Sequence, residues 1–159
     1  DSIVCDLPAR SVRILRAEGK ERTEPTVYEA EWAYLHCFDA LGKVKRQVLY
    51  AANADASGGM VVSWLGGRRE NTARWNDVYS ASGGDYLMTI SYVPAPRRRL
   101  QVAVNGRTTL LDSLAAGGRL ATVTIPVSLT PGFNTVEMGY PYGWAPDIDK
   151  FELRPSSDL

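Results

Sequence analysis

The sequence predicts an all-β protein, an antiparallel β-sandwich of the jelly-roll type, on three observations. No stretch of the chain has helical periodicity of any length. Eight or more short strand-like segments follow one another at near-regular spacing, with turn residues between them. Asn105-Gly106 lies between two alternating runs, and this dipeptide is a strong hairpin signal because both turn positions need a positive φ.

The predicted strands follow from β-favouring residues and from turn signals. The first is residues 27–38, which are rich in aromatic and apolar side chains and have no flanking helix caps. The clearest is residues 85–93, in which four apolar side chains fall on one face: Tyr86, Met88, Ile90 and Tyr92. Pro126 interrupts the strand at residues 120–129, which indicates a sheet edge or a bulge. The other predicted strands are residues 47–51, 60–65, 72–79, 100–104, 107–110, 135–140 and 147–153.

Size and charge limit the functions that the chain can have. Its 159 residues suffice for one core and are too few for two comfortable domains. Eighteen basic and eighteen acidic side chains cancel, which argues against a nucleic-acid-binding protein with a net basic face. No apolar run approaches the roughly 20 residues that a membrane helix needs. Cys5 and Cys37 allow one disulfide and require none, and two buried free thiols are the alternative.

The first 22 residues form a segment of different character. Val12 and Ile14 alternate with basic residues, as in an exposed strand, and a polar stretch follows at residues 18–25. We interpret residues 1–22 as the terminal strand of a preceding β-domain plus a linker, and residues 23–159 as the sandwich. An ordinary first strand of the sandwich is the alternative. Because no signal peptide is visible and the chain begins at Asp1, we expect a mature or cut product.

Two pairs of acidic residues predict a cation site. In a strand, Asp147 and Asp149 would point to the same side, because side chains alternate with period two. Like charges repel, so a positive group is expected beside them. Glu29 and Glu31 form a second pair in the first predicted strand. We expect the two strands to meet and hold a hard cation; the alternative is that these acids face solvent or pair with Lys and Arg.

Five motifs in order carry a resemblance to a known family. They are Tyr-Glu-Ala-Glu at residues 28–31, Gly-Gly-Asp-Tyr-Leu-Met-Thr-Ile-Ser-Tyr at 83–92, Val-Asn-Gly at 104–106, Pro-Gly-Phe-Asn-Thr-Val-Glu at 131–137 and Pro-Asp-Ile-Asp-Lys-Phe-Glu-Leu at 146–153. Over residues 26–153 the chain resembles the β-sandwich carbohydrate-binding modules of the family 6 and family 35 type. The resemblance implies a non-catalytic module that binds a plant or host glycan.

In that family a structural calcium lies between the first and last strands. The resemblance therefore implies that Glu29, Glu31 and Asp149 are carboxylate ligands, with backbone carbonyls completing the shell. Calcium takes about 6–8 oxygen ligands, and paired carboxylates on two strands supply the charged part of such a set. The metal would also relieve the repulsion between Glu29 and Glu31.

The resemblance places the sugar site in the loops at one end of the sandwich. Asp147 occupies a position that is often asparagine in the family, and a carboxylate accepts hydrogen bonds but cannot donate them as an amide does. It could accept from sugar hydroxyls or hold a second calcium. Tyr142 and Trp144 lie beside it in the sequence, and flat rings stack on the apolar face of a pyranose, with Trp64 as a second wall. Core packing is the alternative for each of these aromatic side chains.

The front of the chain carries a second, shorter resemblance. Leu7-Pro8-Ala9 precedes an apolar strand, and this is similar to the last strand of the C-terminal β-domain in glycoside hydrolases of the α-galactosidase clan. The similarity implies that the chain is the C-terminal module of an α-galactosidase-like enzyme, covalently linked to its catalytic domain. It also implies a secreted or periplasmic location.

Three functions follow as hypotheses. The first is a sugar-binding module that raises the local substrate concentration for a tethered hydrolase. The second is a structural accessory sandwich without a retained sugar site. Asp147 favours this hypothesis, because it lies at a position that is often asparagine in the family. The third is an enzyme, which needs two carboxylates about 5–10 Å apart, such as Asp147 with Glu70 or Asp77, although no spacing favours that pairing.

His36 lacks an accompanying nucleophile motif and is interpreted as a packing residue. The run at residues 97–99 is interpreted as a solvated turn, with attraction to an acidic sugar as the alternative.

Overall fold

The computed structural model describes residues 24–36 and 47–158, which form two antiparallel β-sheets packed face to face. The strands are β1 (Val27–Glu29), β2 (Tyr34–His36), β3 (Leu49–Ala52), β4 (Met60–Ser63), β5 (Thr72–Ser80), β6 (Gly84–Val93), β7 (Leu100–Val104), β8 (Arg107–Leu111), β9 (Ala121–Leu129), β10 (Gly132–Gly139) and β11 (Asp147–Pro155). The first sheet has the order β3-β4-β11-β6-β9, with β1 also paired to β11. The second has the order β2-β5-β10-β7-β8. The predicted all-β sandwich is confirmed.

Helical structure in the described residues is limited to short 3₁₀ turns at Ala30–Trp32, Ser57–Gly59 and Ser156–Asp158. None of these has the length or the apolar character needed to cross a membrane.

Alternating burial fixes the register of the central strands. In β6 the side chains of Tyr86, Met88, Ile90 and Tyr92 are all buried, and the residues between them are partly exposed. The predicted face of this strand is therefore confirmed. Because a one-residue slip would turn this apolar face to solvent, the sequence pattern specifies the pairing of β6 with its neighbours.

An aromatic cluster joins the two sheets where the first and last strands meet. Phe151 of β11 is fully buried, stacks on Tyr28 of β1 with ring centroids 4.8 Å apart, and meets the edge of Trp75 of β5 at 5.1 Å. Trp75 Nε1 donates a 2.9 Å hydrogen bond to the carbonyl of Glu29. Since Trp75 belongs to the second sheet, these contacts hold β1 and the acidic residue at its end against the core.

Two local predictions are confirmed by the strand connections. Asn105 and Gly106 have φ values of 50° and 80° and link β7 to β8, with Val104 paired to Arg107. Pro126 lies in β9, the outermost strand of its sheet, where a residue without an N–H is tolerated.

The structure corrects the first predicted strand. β1 ends at Glu29, a 3₁₀ turn follows over Ala30–Trp32, and β2 then joins the other sheet. The turn closes through a 3.0 Å hydrogen bond from Ala33 N to Ala30 O, and both alanines are buried. Glu31 therefore lies on a turn and not on a strand beside Glu29. His36 is exposed at the end of β2, so its interpretation as a packing residue is wrong.

Several predictions lie outside the described residues. These are the preceding strand and linker at residues 1–22, the Leu7-Pro8-Ala9 resemblance, and the pairing of Cys5 with Cys37.

Candidate functional site

Asp149 lies at a β-bulge in the last strand. β11 pairs with β6 at Ile148↔Tyr92 and next at Lys150↔Ser91, so Asp149 is the extra residue. Its side chain is only 2% exposed, whereas Asp147 is partly exposed. The bulge therefore breaks the period-two alternation on which the same-side prediction for the two aspartates rested.

The structure brings Glu29, Glu31 and Asp149 together around the 3₁₀ turn Ser57–Gly59. Ser57 N donates a 2.7 Å hydrogen bond to Asp149 Oδ1, and Ser57 Oγ donates a 2.8 Å hydrogen bond to Glu29 Oε1. Glu31 packs on Gly58 so closely that a Cβ there would lie 2.4 Å from Glu31 Oε1. The three predicted ligands thus form one acidic cluster.

Burial and like charge both act on the cluster. Burial raises the pKa of the Asp149 carboxyl, the Ser57 N–H partly opposes this, and the neighbouring Glu29 carboxylate raises the pKa further. Lys150 lowers this pKa, but its Nζ is 2.9 Å from Glu152, to which it is paired. Among the described residues, no ion pair within 4.0 Å includes Glu29, Glu31 or Asp149.

Two carboxylate oxygens of the cluster, Glu29 Oε2 and Glu31 Oε2, are buried and have no hydrogen-bond partner among the residues that the structure describes. Buried charged oxygens without partners are costly, and a hard cation would satisfy them. In the described part of the chain, however, no three His, Cys, Asp or Glu side chains already stand as a metal-binding group. A cation at this cluster would therefore have to draw the carboxylates closer together.

At the loop end, Trp64 and Trp144 form an edge-to-face pair with ring centroids 5.7 Å apart. Trp64 is 38% exposed, whereas Trp144 is more buried and packs on Gly67, where a Cβ would lie 3.1 Å from the ring. The two loops are joined by a bridge between Gly66 and Trp144 and by a 3.0 Å hydrogen bond from Ala145 N to Leu65 O. Trp64 therefore offers a ring to solvent, and Trp144 supports it.

Tyr142 stands in a different setting. It is 85% exposed and meets Tyr140 edge-on with centroids 6.0 Å apart. It lines a groove of about 430 Å³ over the open face of the second sheet, together with Arg69, Gln101 and Glu137 among others. Core packing is therefore excluded for Tyr142. Asp147 begins β11, where it pairs with Val93 of β6.

Three residues of these sites escaped the sequence analysis. The sequence identifies Ser57 and Gly58 only as loop residues, because the residues that they contact are far away in the chain. The third is Tyr50, whose hydroxyl donates a hydrogen bond to the Ala33 carbonyl; burial, and then the Glu31 carboxylate, raise the pKa of this phenol. None of these residues belongs to a motif that could have identified it.

Comparisons with known proteins point to one kind of module. No protein-family model matches the sequence, and no curated protein matches it. Among solved structures, a family 35 carbohydrate-binding module from Clostridium thermocellum is 27% identical, with a TM-score of 0.66 over 80% of this chain and 96% of that one. An exo-β-1,3-galactanase from Phanerochaete chrysosporium, solved with β-1,3-galactotriose, is 25% identical with a TM-score of 0.68.

The match to the galactanase covers 83% of this chain but only 29% of that enzyme, so the similar region is one part of a longer protein. A CBM35 module from Paenibacillus barcinonensis, 20% identical, shares the fold with a TM-score of 0.68 over 83% of this chain and all of that one. The chain is thus similar in fold to carbohydrate-binding modules of the family 35 type, and similar in sequence to the module from Clostridium thermocellum.

Proposed function

We propose that the chain is a non-catalytic carbohydrate-binding module that targets an attached glycoside hydrolase to its glycan. The observation that carries the proposal is the Trp64–Trp144 pair, held at the loop end of a fold similar to family 35 modules. The exposed Trp64 ring offers a flat apolar surface to one face of a pyranose. Asp147 accepts hydrogen bonds from sugar hydroxyls, and binding raises the local substrate concentration for the tethered catalytic domain.

Galactose-containing polymers come first among the glycans to test, because the galactanase neighbour was solved with β-1,3-galactotriose. Mannose- and uronate-containing polymers are tested next. Another enzyme whose solved structure contains a similar fold, from Podospora anserina, is a β-(1,4)-mannanase. Our proposal of an α-galactosidase-like parent rests on Leu7-Pro8-Ala9 alone, and the proposed secreted or periplasmic location rests on the same family resemblance.

The alternative function is an accessory sandwich without a sugar site. The observation that favours it is Asp147, because the carboxylate lacks the donor that an amide would supply. The Trp64 ring, held against Trp144 at the loop end, argues for a retained site. Exposure alone is not an argument, because single exposed aromatic side chains are common on protein surfaces.

We further propose that Glu29, Glu31 and Asp149 bind a structural calcium. The two buried, unpartnered oxygens of Glu29 and Glu31 support this, as does the lack of a cationic side chain paired with the cluster among the described residues. Ser57 and Asp149 also line a shallow depression of about 410 Å³, with Lys150 on its wall, so solvent reaches one side of the cluster. The calcium would supply positive charge to three carboxylates that otherwise repel one another.

A glycan array tests the proposed function. With calcium present, wild-type protein is expected to bind at least one polymer that contains galactose, mannose or a uronate. Trp64→Ala should abolish the signal. Phe133→Ala is the control, because it removes another aromatic ring that is 54% exposed. Phe133 lies near the start of β10, about 20 Å from Gly139 at its end, where the loop that carries Trp144 begins. This variant should bind like wild type. Absence of binding by wild-type protein to all three classes would overturn the proposal in favour of the accessory sandwich.

A further inference from the structure

Asn71 is a fully buried polar residue beside the loop that carries Trp64. Both ends of its side-chain amide are hydrogen-bonded. Oδ1 accepts a 2.7 Å hydrogen bond from Val48 N, and Nδ2 donates to the carbonyls of Trp64 and Gly66 at 2.5 and 2.8 Å. The Asn71 carbonyl also accepts a 2.8 Å hydrogen bond from Gly66 N. One residue therefore fixes the backbone on both sides of Leu65.

The backbone of Trp64 needs such support. Its φ is 59°, in the left-handed region, which a bulky side chain rarely adopts. Conformations of this kind persist only where the surroundings over-determine them, and they cluster at ligand-binding sites. Here the Asn71 amide holds the Trp64 carbonyl, and the fully buried Leu65 anchors the next residue in the core. As a result the Trp64 side chain turns outward at the end of β4.

The same loop is also held from the other side. Gly67 N donates to Gly143 O at 2.8 Å, and the Trp144 ring packs against both Gly67 and Trp64. Trp144 thus limits where the Trp64 ring can lie, while Asn71 fixes the backbone from which that ring projects. These constraints act on a ring that is already partly exposed before any ligand arrives.

We propose that Asn71 is a positioning residue of the carbohydrate site, which holds Trp64 in its left-handed conformation so that the indole is pre-organised for stacking. The assignment rests on the proposed function, because it concerns the same site. Asn71 itself is buried and does not touch the sugar. A ring held in its binding geometry loses less entropy on association, so loss of this support lowers affinity even when the fold survives.

The test compares Asn71→Ser with Asn134→Ser. Asn134 is a matched control because it is 1% exposed and its amide also holds several backbone groups, including the Val78 and Thr130 carbonyls. Both variants are expected to unfold at lower temperature. Only Asn71→Ser should weaken binding to the polymers named above, by about tenfold. Equal affinities in the two variants would overturn the proposal.

A double-variant cycle separates positioning from general destabilisation. If Asn71 acts through Trp64, adding Asn71→Ser to Trp64→Ala should change the near-ultraviolet circular dichroism of the indoles little further, because coupled residues are not additive. A further loss of that signal in the double variant would contradict the proposal.

Near-ultraviolet circular dichroism reports on the environment of the Trp64 ring in the absence of sugar. Asn71→Ser should reduce the signal of the coupled indoles as Trp64→Ala does, and Asn134→Ser should leave it unchanged. If Asn71→Ser does not fold, exchange of the Asn71 side-chain amide protons in wild-type protein replaces this test. Slow exchange before sugar is added supports the proposal, and fast exchange overturns it. If Asn71→Ser loses the near-ultraviolet signal as expected but wild-type protein binds no glycan, the proposed function is refuted. The role of Asn71 in holding Trp64 is then still supported.

Discussion

The backbone N–H of Ser57 donates a 2.7 Å hydrogen bond to Oδ1 of Asp149, although 92 positions separate the two residues in the chain. Ser57 also donates to Glu29 through its hydroxyl, so one turn residue holds carboxylates from the first and last described strands. A cation that neutralises this cluster would act where the two ends of the described sandwich meet. Metal binding and folding stability should therefore be coupled.

Calcium is expected to raise the melting temperature of the protein. A ligand that binds only the folded state adds about 2.7 kcal/mol when its concentration is 100 times its dissociation constant. For a domain of this size, that is a rise in Tm of roughly 5–10 °C. Scanning calorimetry of EDTA-treated protein, with and without added calcium, measures it. Glu31→Gln should remove most of the rise, and Asp77→Asn, at an exposed position on β5, should keep it. Identical melting of wild-type protein in EDTA and in calcium would show that the cluster holds no calcium.

Asp149→Asn should have opposite effects with and without calcium. The raised pKa of Asp149 means that its ionised form costs stability in the metal-free fold, so a neutral side chain should raise Tm in EDTA. The asparagine Oδ1 still accepts the hydrogen bond from Ser57 N. In calcium the order should reverse, because the variant lacks a charged ligand. The same calorimetric scans measure both states, and a variant less stable than wild type in EDTA would contradict the electrostatic argument.

Gly66→Ala should disrupt the contact between the two loops. A Cβ at Gly66 would lie 2.4 Å from Gly143 O and 2.6 Å from Tyr140 O, so the backbone must shift. Gly132→Ala is the matched control, since its φ of 94° is close to the 87° of Gly66 but a Cβ there meets nothing within 4 Å. The control isolates backbone strain, about 1 kcal/mol. Thermal denaturation should show a larger drop in Tm for Gly66→Ala than for Gly132→Ala, and Gly66→Ala should also bind glycan more weakly. Equal drops in Tm would mean that the close approach of the loops does not contribute to stability.

Phe151→Ala should destabilise the fold by about 3–5 kcal/mol, because it opens a cavity between Tyr28 and Trp75 at the centre of the core. Phe133→Ala removes the same ring from a position 54% exposed and should cost less than about 1 kcal/mol. Urea unfolding followed by circular dichroism measures both changes. Comparable losses for the two variants would contradict the central position assigned to Phe151.

Local sequence patterns were sufficient to predict most of the fold. The alternating side chains of β6 and the Asn105-Gly106 turn are fixed by neighbours in the sequence, so their structure follows from residues close by. The acidic cluster could also be predicted, because Glu29, Glu31 and Asp149 lie in segments similar to a known family.

The rest depends on contacts between distant residues. The chain leaves β1 after Glu29 because buried alanines close a turn there, and period-two alternation does not reveal such a crossing. The bulge at Asp149 arises from its pairing with β6. Asn71 and Ser57 gain their roles from partners that no local motif identifies, and the exposure of Trp64 depends on a left-handed backbone that its sequence neighbours do not require.

Isothermal titration of wild-type protein and Trp64→Ala with galactose-, mannose- and uronate-containing polymers, in calcium, tests the central claim most directly. We expect weak but saturable binding of at least one polymer by wild-type protein and by Phe133→Ala. Trp64→Ala should show no saturable heat while retaining the circular dichroism of a folded β-sandwich. Binding by Trp64→Ala at wild-type affinity, or no binding by wild-type protein to any of the polymers, would contradict the proposed carbohydrate site.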